Sequence, residues 1–190
     1  MKLSHLIAAG IMSVAAFGAS IARAADDFLT IQLKDGPVVI QLMPDVAPNH
    51  VKRLEELAKK GEYDNVAFHR VIEGFMAQTG DVKYGNMSKD FKPDMAGMGG
   101  SDLPDLKAEF SKVPFERGTV GMARAQDPNS ANSQFFIMFA PGDFLNGQYT
   151  VVGKVVSGME LVDKIKRGDD ANNGVVTDPD RMIKVTVGKP

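Results

Sequence analysis

A mainly β protein, a closed barrel with helices over its ends, is the fold the sequence predicts, on three observations. Seven or more segments carry strand patterns and only two carry helix patterns. Turn residues separate these segments, and no internal repeat, linker or second composition regime divides the chain. The composition, 44% hydrophobic and 24% charged over 190 residues, is enough for one domain with a core.

The elements follow in order. "FLTIQLK" alternates, "DGP" turns and "VVIQLM" returns, which makes a hairpin. "APNHVKRLEELAKKG" is a helix: Pro48 suits its first turn, Val51, Leu54, Leu57 and Ala58 form an apolar stripe, and Gly61 can end it. Glu55–Lys59 and Glu56–Lys60 are i,i+4 pairs with the acid on the favourable N-terminal side. "VAFHRVI" and "FMAQTG" read as two strands joined at Glu73-Gly74. Alternation then puts Phe68, Arg70 and Ile72 on one face and Ala67, His69 and Val71 on the other. Residues 81–118 have little periodicity and many Gly, Pro and Asp residues, the mark of a functional or disordered loop. Strand patterns resume at "GTVGMAR", "QFFIMF" and "YTVVGKVV"; a short helix, "GMELVDKIKRG", precedes a last strand, "MIKVTV".

The first residues form a separate segment. Lys2 and His5 precede an apolar run over 6–19, and "ARA" at 22–24 offers an A-x-A cleavage site. This is the layout of a cleavable secretory signal peptide, residues 1–24, ahead of a mature domain at 25–190. An uncleaved membrane anchor is the alternative, but the run is short for a span. Losing Lys2 and Arg23 takes the basic count from 22 to 20 against 24 acids, a mature net charge of −4. The expected product is soluble, without stable membrane association, and periplasmic if the source is Gram-negative. Nothing in the charge points to nucleic acid as a partner. There are no cysteines, so disulfides, thiol nucleophiles and thiolate metal sites are excluded.

Other chemistry is thinly represented. Ser133 and the other serines lack a G-x-S-x-G context. Of the three histidines, His5 leaves with the signal and His50 falls within the predicted helix, so a Ser-His-Asp triad has no support. Asp94, Asp102, Asp105 and Glu109 lie in the long loop at spacings unlike an EF-hand, and "GMGGS" lacks the lysine of a P-loop. No metal site is expected. What remains is an apolar, aromatic-rich set with a few polar groups: Phe68, Arg70, Phe75, Met76, Gln78 and the stretch "MARAQDPNSANSQFFIMFAPGDFLNGQYTVVGKVV". Singly these are core residues, a snorkelling arginine and an edge glutamine. Together they are harder to dismiss.

Three ordered blocks carry a resemblance. "FHRVIEGFMAQTGD", "GTVGMARAQDPNSANSQFFI" and "FLNGQYTVVGKVVSGMELVDKI" resemble the cyclophilin-type peptidyl-prolyl cis-trans isomerases, over roughly residues 28–187. The resemblance implies an eight-stranded antiparallel closed β-barrel capped by two helices, with proline bound in a groove on its outside. By position it implies Arg70 as the catalytic arginine and a proline pocket of Phe75, Met76, Phe136 and Leu145. Gln78, joined to the catalytic set, and Gln134 are expected to flank the arginine. Ala123 and Arg124 are expected to meet the substrate backbone on the N-terminal side of proline. Phe144 stands where a tryptophan is frequent and Tyr149 where a histidine is, so both belong to the binding rim, and weak cyclosporin binding is expected.

The implied activity is cofactor-independent isomerisation of X–Pro bonds in proline-containing peptides and unfolded exported proteins, by a monomer. The barrier is amide resonance, ~18–20 kcal/mol. A guanidinium donor aimed at the nitrogen favours the twisted transition state, where the lone pair leaves conjugation and accepts a hydrogen bond. Two other readings remain: a chaperone that grips proline segments without turnover, and a hydrolase, which lacks its nucleophile.

Overall fold

The computed structural model describes residues 28–189, so the expected signal peptide lies outside the described residues. Ten strands and two helices follow the chain: β1 (Phe28–Leu33), β2 (Gly36–Leu42), α1 (Pro48–Lys59), β3 (Val66–Ala67), β4 (Arg70–Ile72), β5 (Met76–Thr79), β6 (Thr119–Met122), β7 (Phe135–Met138), β8 (Val151–Ser157), α2 (Met159–Val162), β9 (Arg181–Met182) and β10 (Lys184–Val187). Eight of the strands form one antiparallel sheet in the order β10-β1-β2-β8-β6-β7-β5-β4.

This corrects the expectation of a closed barrel. The eight-stranded ladder is open: β4 and β10 are its edges and do not pair with each other. A separate two-stranded ladder lies next to both edges in the chain, β3 pairing with β9 through Val66↔Met182 and Ala67↔Arg181. The predicted continuous strand "VAFHRVI" is therefore split into β3 and β4 at Phe68 and His69, and the last strand is split at Ile183.

Side-chain alternation sorts the apolar residues into two clusters. On β1, Leu29, Ile31 and Leu33 point inward, each fully buried side chain contributing about 1.5–3 kcal/mol. On β7, Phe135 and Ile137 join the interior while Phe136 and Met138 belong to a second, outer cluster with Met76, Phe115, Leu145 and Val151. The period of two thus builds a core and an external apolar floor from the same strands.

Helix α1 packs on the core through the stripe read from sequence, with Val51, Leu54 and Leu57 each at most 2% exposed. Its surface pairs form as expected, Glu55–Lys59 at 3.7 Å and Glu56–Lys60 at 2.7 Å. Gly61, at φ 71°, ends it in a Schellman motif: Gly61 N–H donates to Ala58 O and Glu62 N–H to Leu57 O, both at 2.9 Å. The N-terminus has no side-chain cap of its own. Glu109, from the long loop, accepts from the backbone N–H groups of Asn49 and His50 at 3.1 Å each and from His50 Nδ1 at 2.6 Å. Helix α2 is a single turn, shorter than the predicted segment, and continues through 3₁₀-type bonds, Lys164 N–H to Leu161 O and Ile165 N–H to Val162 O.

The 81–118 region wraps the molecule without forming a helix or a ladder strand of its own. Buried Asp81 organises its first half, accepting backbone N–H groups from Lys83, Tyr84, Gly97 and Gly99 at 2.8–3.1 Å. Arg53 of α1 donates to Pro104 O at 2.7 Å and pins the second half. The loop acids do not converge, and among the described residues no group of three or more His, Asp or Glu could hold a metal ion.

Candidate active site

The site is built on the outer face of β4, β5, β7 and β6. Register places Arg70 opposite Gln78, Gln78 opposite Phe136 and Phe136 opposite Gly121, so one row crosses four strands. At the end of the row only glycine fits. A Cβ on Gly121 would come within 2.5 Å of the Phe115 ring and 2.6 Å of the Phe136 ring. Phe115 and Phe136 stack there, with centroids 5.7 Å apart.

Arg70 is half-buried and clamped from two sides. Nη1 donates to Gln78 Oε1 at 3.2 Å, Nε to Asn173 O at 3.0 Å and Nη2 to Asn173 Oδ1 at 2.9 Å. Burial lowers its pKa from the ordinary arginine value, a change that still leaves it charged at neutral pH. Three of the five guanidinium hydrogens are engaged, which leaves one on each Nη for a substrate. Asn173 is a site residue that the sequence reading missed. The available signal was "NNG", a turn pattern: Asn173 sits at φ 52°, a left-handed conformation that asparagine tolerates.

The apolar side of the site is a groove of about 410 Å³. Met76, Phe136 and Leu145 form its buried floor, at 2%, 5% and 6% exposure, and Phe75 is half-buried at its edge. Phe144 is 65% exposed on the rim and meets Phe75 with ring centroids 5.5 Å apart. Tyr149 stands edge-on to Phe136 at 5.9 Å. Ala123 and Arg124 lie where this groove meets a second cavity of about 240 Å³.

Gln134 needs a correction. It does not flank Arg70 directly but stands one step back: Gln78 Nε2 donates to Gln134 Oε1 at 2.9 Å. Gln134 Nε2 in turn donates to the carbonyls of Gly97 and Gly99, at 2.9 and 2.8 Å, and the side chain lines the second cavity. A polar chain thus runs from Arg70 through both glutamines to the loop that Asp81 anchors. His69 is buried and not on the groove wall. Burial pulls its pKa below the ordinary imidazole value. The Asp81 charge and the nearby Ala67 and Gln134 groups offset this in part, although neither ring nitrogen has a partner in hydrogen-bond geometry.

The site is thus an outer-face groove with an apolar floor and a fixed arginine donor at its side. Comparison with known proteins is specific. The family model described as "Cyclophilin type peptidyl-prolyl cis-trans isomerase/CLD" matches residues 28–187. The chain is 61% identical over 186 residues to a probable peptidyl-prolyl cis-trans isomerase of Brucella suis biovar 1 (strain 1330), covering 97% of this chain and 95% of that one. It is 37% identical over 158 residues to peptidyl-prolyl cis-trans isomerase B of Escherichia coli (strain K12), covering 79% and 90%. Among solved structures, cyclophilin AquaCyp293 from Hirschia baltica superposes with a TM-score of 0.71 at 25% identity, over 86% of this chain and 74% of that one. The chain belongs to the cyclophilin-type peptidyl-prolyl cis-trans isomerase family.

Proposed function

We propose that this chain isomerises X–Pro peptide bonds in unfolded exported proteins, with Arg70 stabilising the twisted amide. One observation carries the reading: a charged guanidinium is preorganised by Gln78 and Asn173 beside an apolar floor, with two hydrogens still to donate. The planar amide nitrogen is a poor acceptor and the twisted one a good acceptor, so this donor favours the transition state over the substrate. The floor of Met76, Phe136 and Leu145 holds the proline ring and keeps water from stabilising the planar form. No bond breaks, so no nucleophile, titrating base or cofactor is called for. Arginine suits the task because its planar fork can be gripped at one edge and donate from another.

The test is the cis-to-trans relaxation of a short neutral X–Pro peptide, which takes tens to hundreds of seconds without a catalyst. Relaxation accelerated in proportion to protein concentration is expected; tight binding with an unchanged rate makes the protein a holdase instead. Export belongs to the same proposal: "ARA" at 22–24 supports a mature N-terminus at Ala25, with the product expected to be released from a periplasm as a soluble monomer. N-terminal sequencing of membrane-bound protein that still begins at Met1 overturns that part.

A further inference from the structure

Two guanidinium groups line the groove, Arg70 and Arg124, and among the described residues neither has a carboxylate within ion-pair distance. Elsewhere on the surface many cations are matched, Arg117 by Asp163, Lys34 by Asp180 and Lys184 by Asp64. No acidic residue lines the groove or the second cavity that joins it at Arg124. A chain with formal net charge −2 thus presents a locally cationic groove.

The Arg124 charge is fixed in place. Nε and Nη2 donate to Gln148 O at 3.3 and 2.9 Å, and Nη1 to Ala125 O and Gln126 O at 2.9 and 3.2 Å. The guanidinium carbon lies 4.4 Å from the Tyr149 ring centroid, and Tyr149 in turn abuts Phe136 in the floor. Carbonyls and a ring face hold the group but carry no net charge, so its field remains available to a ligand. An extended segment crossing from the apolar groove to the second cavity passes this charge.

We infer that Arg124 is a specificity-determining residue that favours proline segments with an aspartate or glutamate next to the proline and disfavours lysine and arginine there. The inference rests on the isomerase reading above. It is tested on X–Pro peptides that carry Glu, Gln or Lys immediately before or immediately after proline, with the wild type, Arg124→Gln and Arg124→Lys. For the wild type at low salt, kcat/KM for the Glu peptide exceeds that for its Gln counterpart by about three- to fivefold in at least one position, and the Lys peptide falls below it. The Glu preference shrinks between ~0.01 and ~1 M salt, as the Debye length contracts from ~30 to ~3 Å, which a purely steric role of the side chain does not predict. Arg124→Lys keeps the preference and Arg124→Gln loses it. Equal turnover of Glu and Gln peptides by the wild type overturns the inference while leaving the isomerase reading intact. No turnover of any peptide, the Gln ones included, defeats the isomerase reading itself. A preference that survives Arg124→Gln belongs to Arg70 and overturns the role of Arg124.

Discussion

His69 precedes Arg70 in the chain yet does not reach the groove, and its burial decides how activity depends on pH. Burial holds its pKa below the ordinary imidazole value, so its titration moves away from neutral pH and takes place off the groove, while Arg70 stays charged throughout. Activity measured between about pH 6 and pH 8 is therefore expected to be nearly flat. A bell-shaped profile that disappears in His69→Gln contradicts this. At Phe144, 65% exposed on the rim, phenylalanine supplies apolar area without the N–H donor of an indole. Phe144→Trp should tighten cyclosporin up to about tenfold, the equivalent of ~1.4 kcal/mol at the upper end of the ~0.5–1.5 kcal/mol of one hydrogen bond, and change peptide turnover less. Titrating both proteins with the drug checks it, and equal affinities remove Phe144 from that contact. Of the residues that hold Arg70, Gln78 was named through the family resemblance, and the structure sets it opposite Arg70, eight positions on in one hairpin. Asn173, 103 positions away, was not: no local pattern states which strand a distant turn will meet.

Helix α1 shows the same division at the scale of elements. Its stripe, surface pairs and terminating Gly61 follow from local spacing and were readable, whereas its N-terminal cap comes from Glu109, about 60 positions away. Burial raises the Glu109 pKa, but the bonds from His50 and Asn49 outweigh it and the net shift is downward. A carboxyl with a depressed folded pKa contributes stability above its unfolded value of ~4.3 and loses it as pH falls through the folded value. Glu109→Gln is thus expected to cost about 0.5–2 kcal/mol at pH 7, the range for losing a helix cap. The gap between mutant and wild type should narrow below about pH 4.3, as read by denaturant unfolding. A gap that is constant with pH denies the charged cap. The split strands and the shortened α2 were not legible either. "VAFHRVI" alternates well enough for one strand, and only the pairing of β3 with β9 instead of β5 shows where it breaks.

Across the whole molecule, the fold sets the candidate groove outside its core. The strands β5 and β7 turn alternate residues to the interior and to the groove, so a pattern of near-continuous apolar residues encodes two surfaces at once. Family-like blocks set Met76 and Phe136 apart as groove residues, where the structure places them, whereas hydrophobicity alone reads both as ordinary core. The open ladder, with β3 and β9 pairing beside its edges, is a property of distant pairing that strand counting does not reach. The central claim is that one fixed guanidinium on this scaffold carries the rate. It is tested most directly by comparing kcat/KM of Arg70→Ala and wild type on a neutral X–Pro peptide, with thermal unfolding of both as the control for folding. A cooperatively folded variant with kcat/KM reduced roughly 100- to 1000-fold, the cost of losing one preorganised donor, is the predicted result. A folded Arg70→Ala that retains near-native kcat/KM would contradict it.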